Sequence, residues 1–66
     1  MYTIKRTGKM NAKADGYMGN RAGYSSLKEA KEIIYKLMKA HATFDIYKDG
    51  KLFATGDDTG LYKVRA

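Results

Sequence analysis

Ser26-Leu27-Lys28-Glu29-Ala30-Lys31-Glu32-Ile33-Ile34-Tyr35-Lys36-Leu37-Met38-Lys39-Ala40-His41 is the stretch that decides the architecture of this chain. Leu27, Ala30, Ile33, Ile34, Leu37, Met38 and His41 recur at the spacing that places them on one stripe of an α-helix. Lys28, Glu29, Glu32, Lys36 and Lys39 fall on the opposite side. Ser26 followed by Glu29 is a capping box, in which the hydroxyl accepts from the third helical N–H while the carboxylate reaches back to the cap. Glu32 and Lys36 pair at i,i+4 in the favourable order, and Lys36 and Lys39 complement the negative end of the helix dipole. The pattern predicts one amphipathic helix over about residues 27–41, whose single apolar stripe needs a second layer to cover it.

That layer follows directly in the sequence. Phe44-Asp45-Ile46-Tyr47-Lys48 and Lys51-Leu52-Phe53-Ala54-Thr55 flank Asp49-Gly50, a strong hairpin signal because the turn requires positive φ. Two registers are open. A two-residue loop places Phe44, Ile46 and Phe53 on one face and leaves Tyr47 and Leu52 on the other. A three-residue loop with a bulge at Gly50 instead groups Phe44, Ile46, Leu52 and Ala54. Either one leaves an aromatic ring on the outer face. Alternation in Tyr2-Thr3-Ile4-Lys5-Arg6 and in Leu61-Tyr62-Lys63-Val64-Arg65 predicts two further short strands, the second joined to the hairpin by Gly56-Asp57-Asp58-Thr59-Gly60. Residues 8–24 hold four of the seven glycines and read as an irregular connection, part of which, Lys9 to Lys13 or Gly16 to Met18, could pair with the first strand. The expectation is one α+β domain over residues 1–66. Its helix packs on an antiparallel sheet of three to five strands, in the order β(β)αβββ.

A chain of 66 residues buries a thin core, and small domains of this kind often gain support from disulfides, a metal or self-association. There is no Cys and one His, which removes disulfides and an ordinary structural zinc site and leaves a homodimer as the available support. No apolar run approaches the roughly 20 residues that span a bilayer, and the first residues lack the apolar stretch of a signal peptide. The expected location is therefore cytoplasmic, with no membrane partner.

The formal net charge is +6, concentrated in the first half. Over residues 1–24, Lys5, Arg6, Lys9, Lys13 and Arg21 stand against Asp15 alone. An anionic partner follows from that asymmetry. Lys5, Arg6, Lys9, Lys13 and Arg21 are the candidate phosphate contacts, and Tyr17 and Tyr24 the candidate stacking rings, for nucleic acid or a nucleoprotein complex. Tyr47, Leu52 and Phe53 form a second candidate surface, for a host protein or a second copy.

Chemistry-bearing motifs are sparse. Gly8-Lys9 is followed by Met10 and Gly50-Lys51 by Leu52, where a phosphate-binding loop requires Ser or Thr. Gly16-Tyr17-Met18-Gly19 matches the loop of KH domains by letter count alone, since no helix is predicted before it. Asp57 and Asp58 read as turn residues rather than metal ligands, and His41 as a residue packed at the helix end. Without a nucleophile–base set, neither an enzyme nor a cofactor is expected.

Ser26-Leu27-Lys28-Glu29-Ala30-Lys31, leading into Phe44-Asp45-Ile46-Tyr47-Lys48-Asp49-Gly50-Lys51-Leu52, resembles a pattern found in small phage-encoded accessory proteins, some anti-CRISPR proteins among them. The resemblance covers about residues 24–55. It implies a non-enzymatic inhibitor that disarms or redirects host machinery by binding, acting in the host cytoplasm, and it transfers no contact residue. The sequence thus predicts a small basic module that binds nucleic acid or a nucleoprotein complex. The alternative is a purely protein-binding inhibitor or self-associating module with no direct nucleic-acid contact.

Overall fold

Tyr2, Ile4 and Arg6 alternate with Thr3, Lys5 and Thr7 along strand β1 (Tyr2–Thr7), and this alternation sets the two faces of the whole sheet. The structure is a computed structural model, describing residues 1–19 and 23–65. After β1 come helix α1 (Ala12–Met18), β2 (Gly23–Tyr24), α2 (Leu27–Lys39), β3 (Thr43–Lys48), β4 (Lys51–Gly56) and β5 (Tyr62–Val64). The five strands form one antiparallel sheet in the order β2-β1-β3-β4-β5. Ala14 of α1 and Ala30, Ile34 and Leu37 of α2 share one core with Ile4, Phe44, Ile46 and Ala54 of the sheet, so both helices lie on the same face. This is the expected α+β two-layer domain, with a second helix added.

α2 begins as its sequence dictates, with Ser26 Oγ accepting from the Glu29 N–H at 3.2 Å. Its end comes two residues earlier than the apolar stripe suggests. His41 takes a left-handed conformation, φ 55°. The His41 N–H then donates to the Met38 carbonyl at 3.0 Å, and the Ala42 N–H to Leu37 at 3.1 Å. Those two bonds are the Schellman closure, usually made with glycine at the left-handed residue. Ile34 and Leu37 are fully buried, and each such side chain contributes about 1.5–3 kcal/mol.

The hairpin takes the two-residue register at its turn, and the three-residue loop with a bulge at Gly50, which would group Leu52 with the core, does not form. Lys48 pairs with Lys51, so the loop is the two residues Asp49 and Gly50, with φ 51° and 85° as a type I′ turn requires. The register then shifts between Ile46 and Tyr47, leaving Phe53 as the extra residue of a bulge. The bulge lets Phe53 and Ala54 both face the core, where Phe53 meets the Tyr2 ring edge-on at 5.6 Å. Tyr47 and Leu52 pair on the other face. At the far end Phe44 lies across Gly56, where any Cβ would overlap its ring.

Residues 8–19 and 23–24 depart from the expected irregular connection. Neither Lys9–Lys13 nor Gly16–Met18 pairs with β1; the segment forms α1, and Gly23 and Tyr24 pair with Thr3 and Tyr2. Asn11 caps α1 by accepting from the Ala14 N–H at 3.1 Å, while its Nδ2 donates to the Ala40 carbonyl at the end of α2 at 3.0 Å. One side chain therefore ties the start of one helix to the end of the other.

Candidate binding face of the sheet

The face of the sheet turned away from the helices is covered by neither of them. Pairing and alternation place Thr3, Lys5 and Thr7 of β1, Thr43, Asp45 and Tyr47 of β3, and Thr55 of β4 on it, with Lys63 opposite Thr55 on β5. No described element packs over this face. Lys5 Nζ sits 5.4 Å from the centre of the Tyr47 ring, a cation–π contact between diagonal neighbours on adjacent strands. Arg65 follows Lys63 on the same side, and its Nε donates to Thr55 Oγ1 at 3.1 Å. Asp45 is the one carboxylate on the described strands. Leu52, 45% exposed, stands beside Tyr47 as the apolar member of the surface.

The residues expected to contact nucleic acid do not form a single patch. Lys5 lies on the open sheet face. Lys9 is exposed in the loop before α1, and Lys13 is exposed on α1 itself. Tyr17, also on α1, is 36% exposed with Lys36 Nζ over its ring at 5.8 Å. Tyr24 is 1% exposed and belongs to the core, so its ring is not available for stacking. Arg21 lies outside the described residues. Of the second expected surface, Tyr47 and Leu52 stay together on the open face, whereas the bulge sends Phe53 to the core side.

Arg6 is engaged within the fold. Its side chain is 11% exposed, with Nε on Asp15 Oδ1 at 2.9 Å, Nη1 on the carbonyls of Thr7 and Thr43, and Nη2 on the Lys9 carbonyl. A guanidinium has five donors in a rigid fork, and here the fork pins α1 and the Gly8 turn to β1 and β3. This joint borders a shallow recess of about 350 Å³ between Arg6, Lys9, Asn11, His41 and Asp58. His41 Nδ1 lies 3.2 Å from the Asp58 carbonyl, which only accepts, so Nδ1 carries the proton. The Thr43 hydroxyl donates to the Thr7 carbonyl. Arg6, Asn11, Thr43 and His41 Nδ1 at the recess thus each have a structural partner.

Among the described residues no three His, Asp or Glu side chains gather as a metal site. Asp57 accepts from both the N–H and the hydroxyl of Thr59, and these bonds hold its carboxyl below the usual range. It closes a turn. No helix among the described residues is long and apolar enough to cross a membrane.

Lys63 and Arg65 are the cations of the open face that sequence reasoning did not single out. Alternation within Leu61–Arg65 sets them on one side of their strand. Which side that is depends on the pairing with β4. Comparison with protein-family models, with curated proteins and with solved structures finds no match to this chain.

Proposed function

We propose that this protein is a small non-enzymatic binding module that engages single-stranded nucleic acid, free or in a nucleoprotein complex, through the open face of its sheet. The supporting observation is the Lys5–Tyr47 pair on a face that also carries Lys63 and Arg65 against the single carboxylate of Asp45. A ring that can stack on a base, with cations beside it for phosphate, is the combination by which open sheets hold single strands. An inhibitor of host machinery, as the phage-protein resemblance implies, would use the same face to occupy or mimic a nucleoprotein contact.

Leu52 favours a second reading, in which Tyr47 and Leu52 anchor an acidic protein surface while the cations steer it. Fluorescence anisotropy with short single- and double-stranded DNA and RNA, from about 50 to about 300 mM salt, separates the two readings. The nucleic-acid reading expects micromolar binding to single strands at low salt, falling steeply as salt rises. It also expects Lys5→Ala and Tyr47→Ala each to weaken binding, while the Lys9→Ala/Lys13→Ala pair, on the helical side, has the smaller effect. No binding to any oligonucleotide at low salt would leave the protein-surface reading.

A further inference from the structure

Strand β5 forms one edge of the sheet, and its hydrogen-bond phase shows what that edge offers. The Arg65 N–H donates to the Phe53 carbonyl at 2.7 Å, and the Asp57 N–H to the Leu61 carbonyl at 3.1 Å. Residues 61, 63 and 65 therefore turn their backbone groups inward to β4. By the alternation of an antiparallel ladder, Tyr62 and Val64 turn theirs outward, away from the sheet. Their side chains follow Gly56 and Ala54 onto the core side, where Val64 remains 48% exposed. Leu61, 65% exposed, precedes them. Lys63 and Arg65 project onto the opposite face. The edge thus presents two outward amide pairs, the Tyr62 and Val64 side chains on the core face, and Lys63 and Arg65, on the same side as Leu61, on the other.

In both antiparallel registers that engage Val64, a second copy meets like charges on this edge. Antiparallel self-pairing that uses the outward groups of both Tyr62 and Val64 sets Lys63 opposite Lys63. Sliding to pair Val64 with Val64 sets Lys63 opposite Arg65. Both registers oppose like charges on one face, the usual device by which edge strands avoid themselves.

We propose that β5 receives, as a sixth strand, an extended segment of a protein partner in which acidic and apolar residues alternate. Apolar residues of the guest lie opposite Tyr62 and Val64 on the core side, and acidic residues lie opposite Lys63 and Arg65 on the open side. Main-chain bonds supply affinity, and the alternating pattern supplies selectivity. This edge shares Lys63 and Arg65 with the open face, but β4 separates it from the Lys5–Tyr47 pair and Val64→Pro keeps both cations, so either assignment can fail without the other.

The test uses a capped, fluorescein-labelled peptide of alternating glutamate and valine, with a lysine–valine peptide as its counterpart. The glutamate peptide binds the parent, and the lysine peptide binds at least about tenfold more weakly. Val64→Pro removes an N–H that β4 does not use, a change edge strands tolerate, and weakens the glutamate peptide by about tenfold or more while oligonucleotide binding is unchanged. Lys63→Glu reverses the preference between the two peptides and reports even if the proline variant folds poorly. Hydrogen exchange on the parent gives a third readout, with peptide slowing the Tyr62 and Val64 amides relative to Lys63 and Arg65. Equal binding of both peptides, no binding of either, or full binding by a folded Val64→Pro variant would overturn the proposal. So would light scattering that shows a concentration-dependent dimer abolished by Val64→Pro, which would assign the edge to a second copy.

Discussion

The two helices are built from opposite kinds of information. α2 carries its own instructions: a Ser26 cap, an apolar stripe of Ala30, Ile34 and Leu37, and basic residues in its last turn. α1 has seven residues, Gly16 in its middle and one fully buried side chain, Ala14. A helix that short is not stable by itself in water. It exists because Asn11 bonds the end of α2, Arg6 reaches Asp15, and Ala14 is small enough to sit against α2. The comparison separates a helix that its neighbours recruit from one that recruits its neighbours.

The largest expected effect breaks the stronger partner. Ile34→Ala should cost about 2–5 kcal/mol, a large share of the stability of so small a domain. Both helices should then be lost together in thermal unfolding followed by circular dichroism. Loss of α1 alone, with α2 retained, would contradict the dependence argued here.

Asn11→Ala removes the cap of α1, worth about 1 kcal/mol, and a bond to the last carbonyl of α2, worth about 1 more. Its signature is local. Amide exchange in residues 12–18 should accelerate well before that in the middle of α2, and uniform acceleration would count against the joint.

Gly16→Ala acts in the other direction. Gly16 has no positive φ, and a Cβ there meets nothing within 4 Å. The substitution should stabilise by about 0.5–1 kcal/mol, raising the melting temperature by a few degrees. A fall in melting temperature would show that α1 needs the glycine for another reason.

The smallest effect lies outside both helices. The Asp57 carboxyl is held below its ordinary value of 3.8 by its bonds from Thr59. A group lowered on folding contributes stability above its unfolded value and loses it as pH falls through the folded one. An acid titration followed by nuclear magnetic resonance should therefore move the Thr59 amide with a midpoint below 3.8 while the helical signals stay in place. A midpoint at or above that value would remove the turn from the account.

Lys5 and Tyr47 show how far the site was legible. Alternation in each strand sets both residues apart from the core, but their contact needs the β1–β3 register, which pairs Thr3 with Tyr47 and so brings Lys5 diagonally against the ring. Tyr24 shows the converse. Surrounded by glycine, serine and Arg21, it reads as an exposed ring, and two pairs with β1 carry it into the core.

The local pattern alone determined the α+β class, the start and buried stripe of α2 and the Asp49-Gly50 turn, because helix periodicity, caps and turn geometry depend on residues within a few positions of one another. Tertiary structure alone decided α1, the bulge at Phe53, the internal role of Arg6 and the face on which Lys63 and Arg65 stand. Each of these depends on a partner distant in the chain. Arg6 finds the Thr43 carbonyl, Asn11 finds Ala40, and Phe44 needs the bare Gly56 beneath its ring. Such bonds and contacts form only once the sheet has assembled, so no window of sequence contains them.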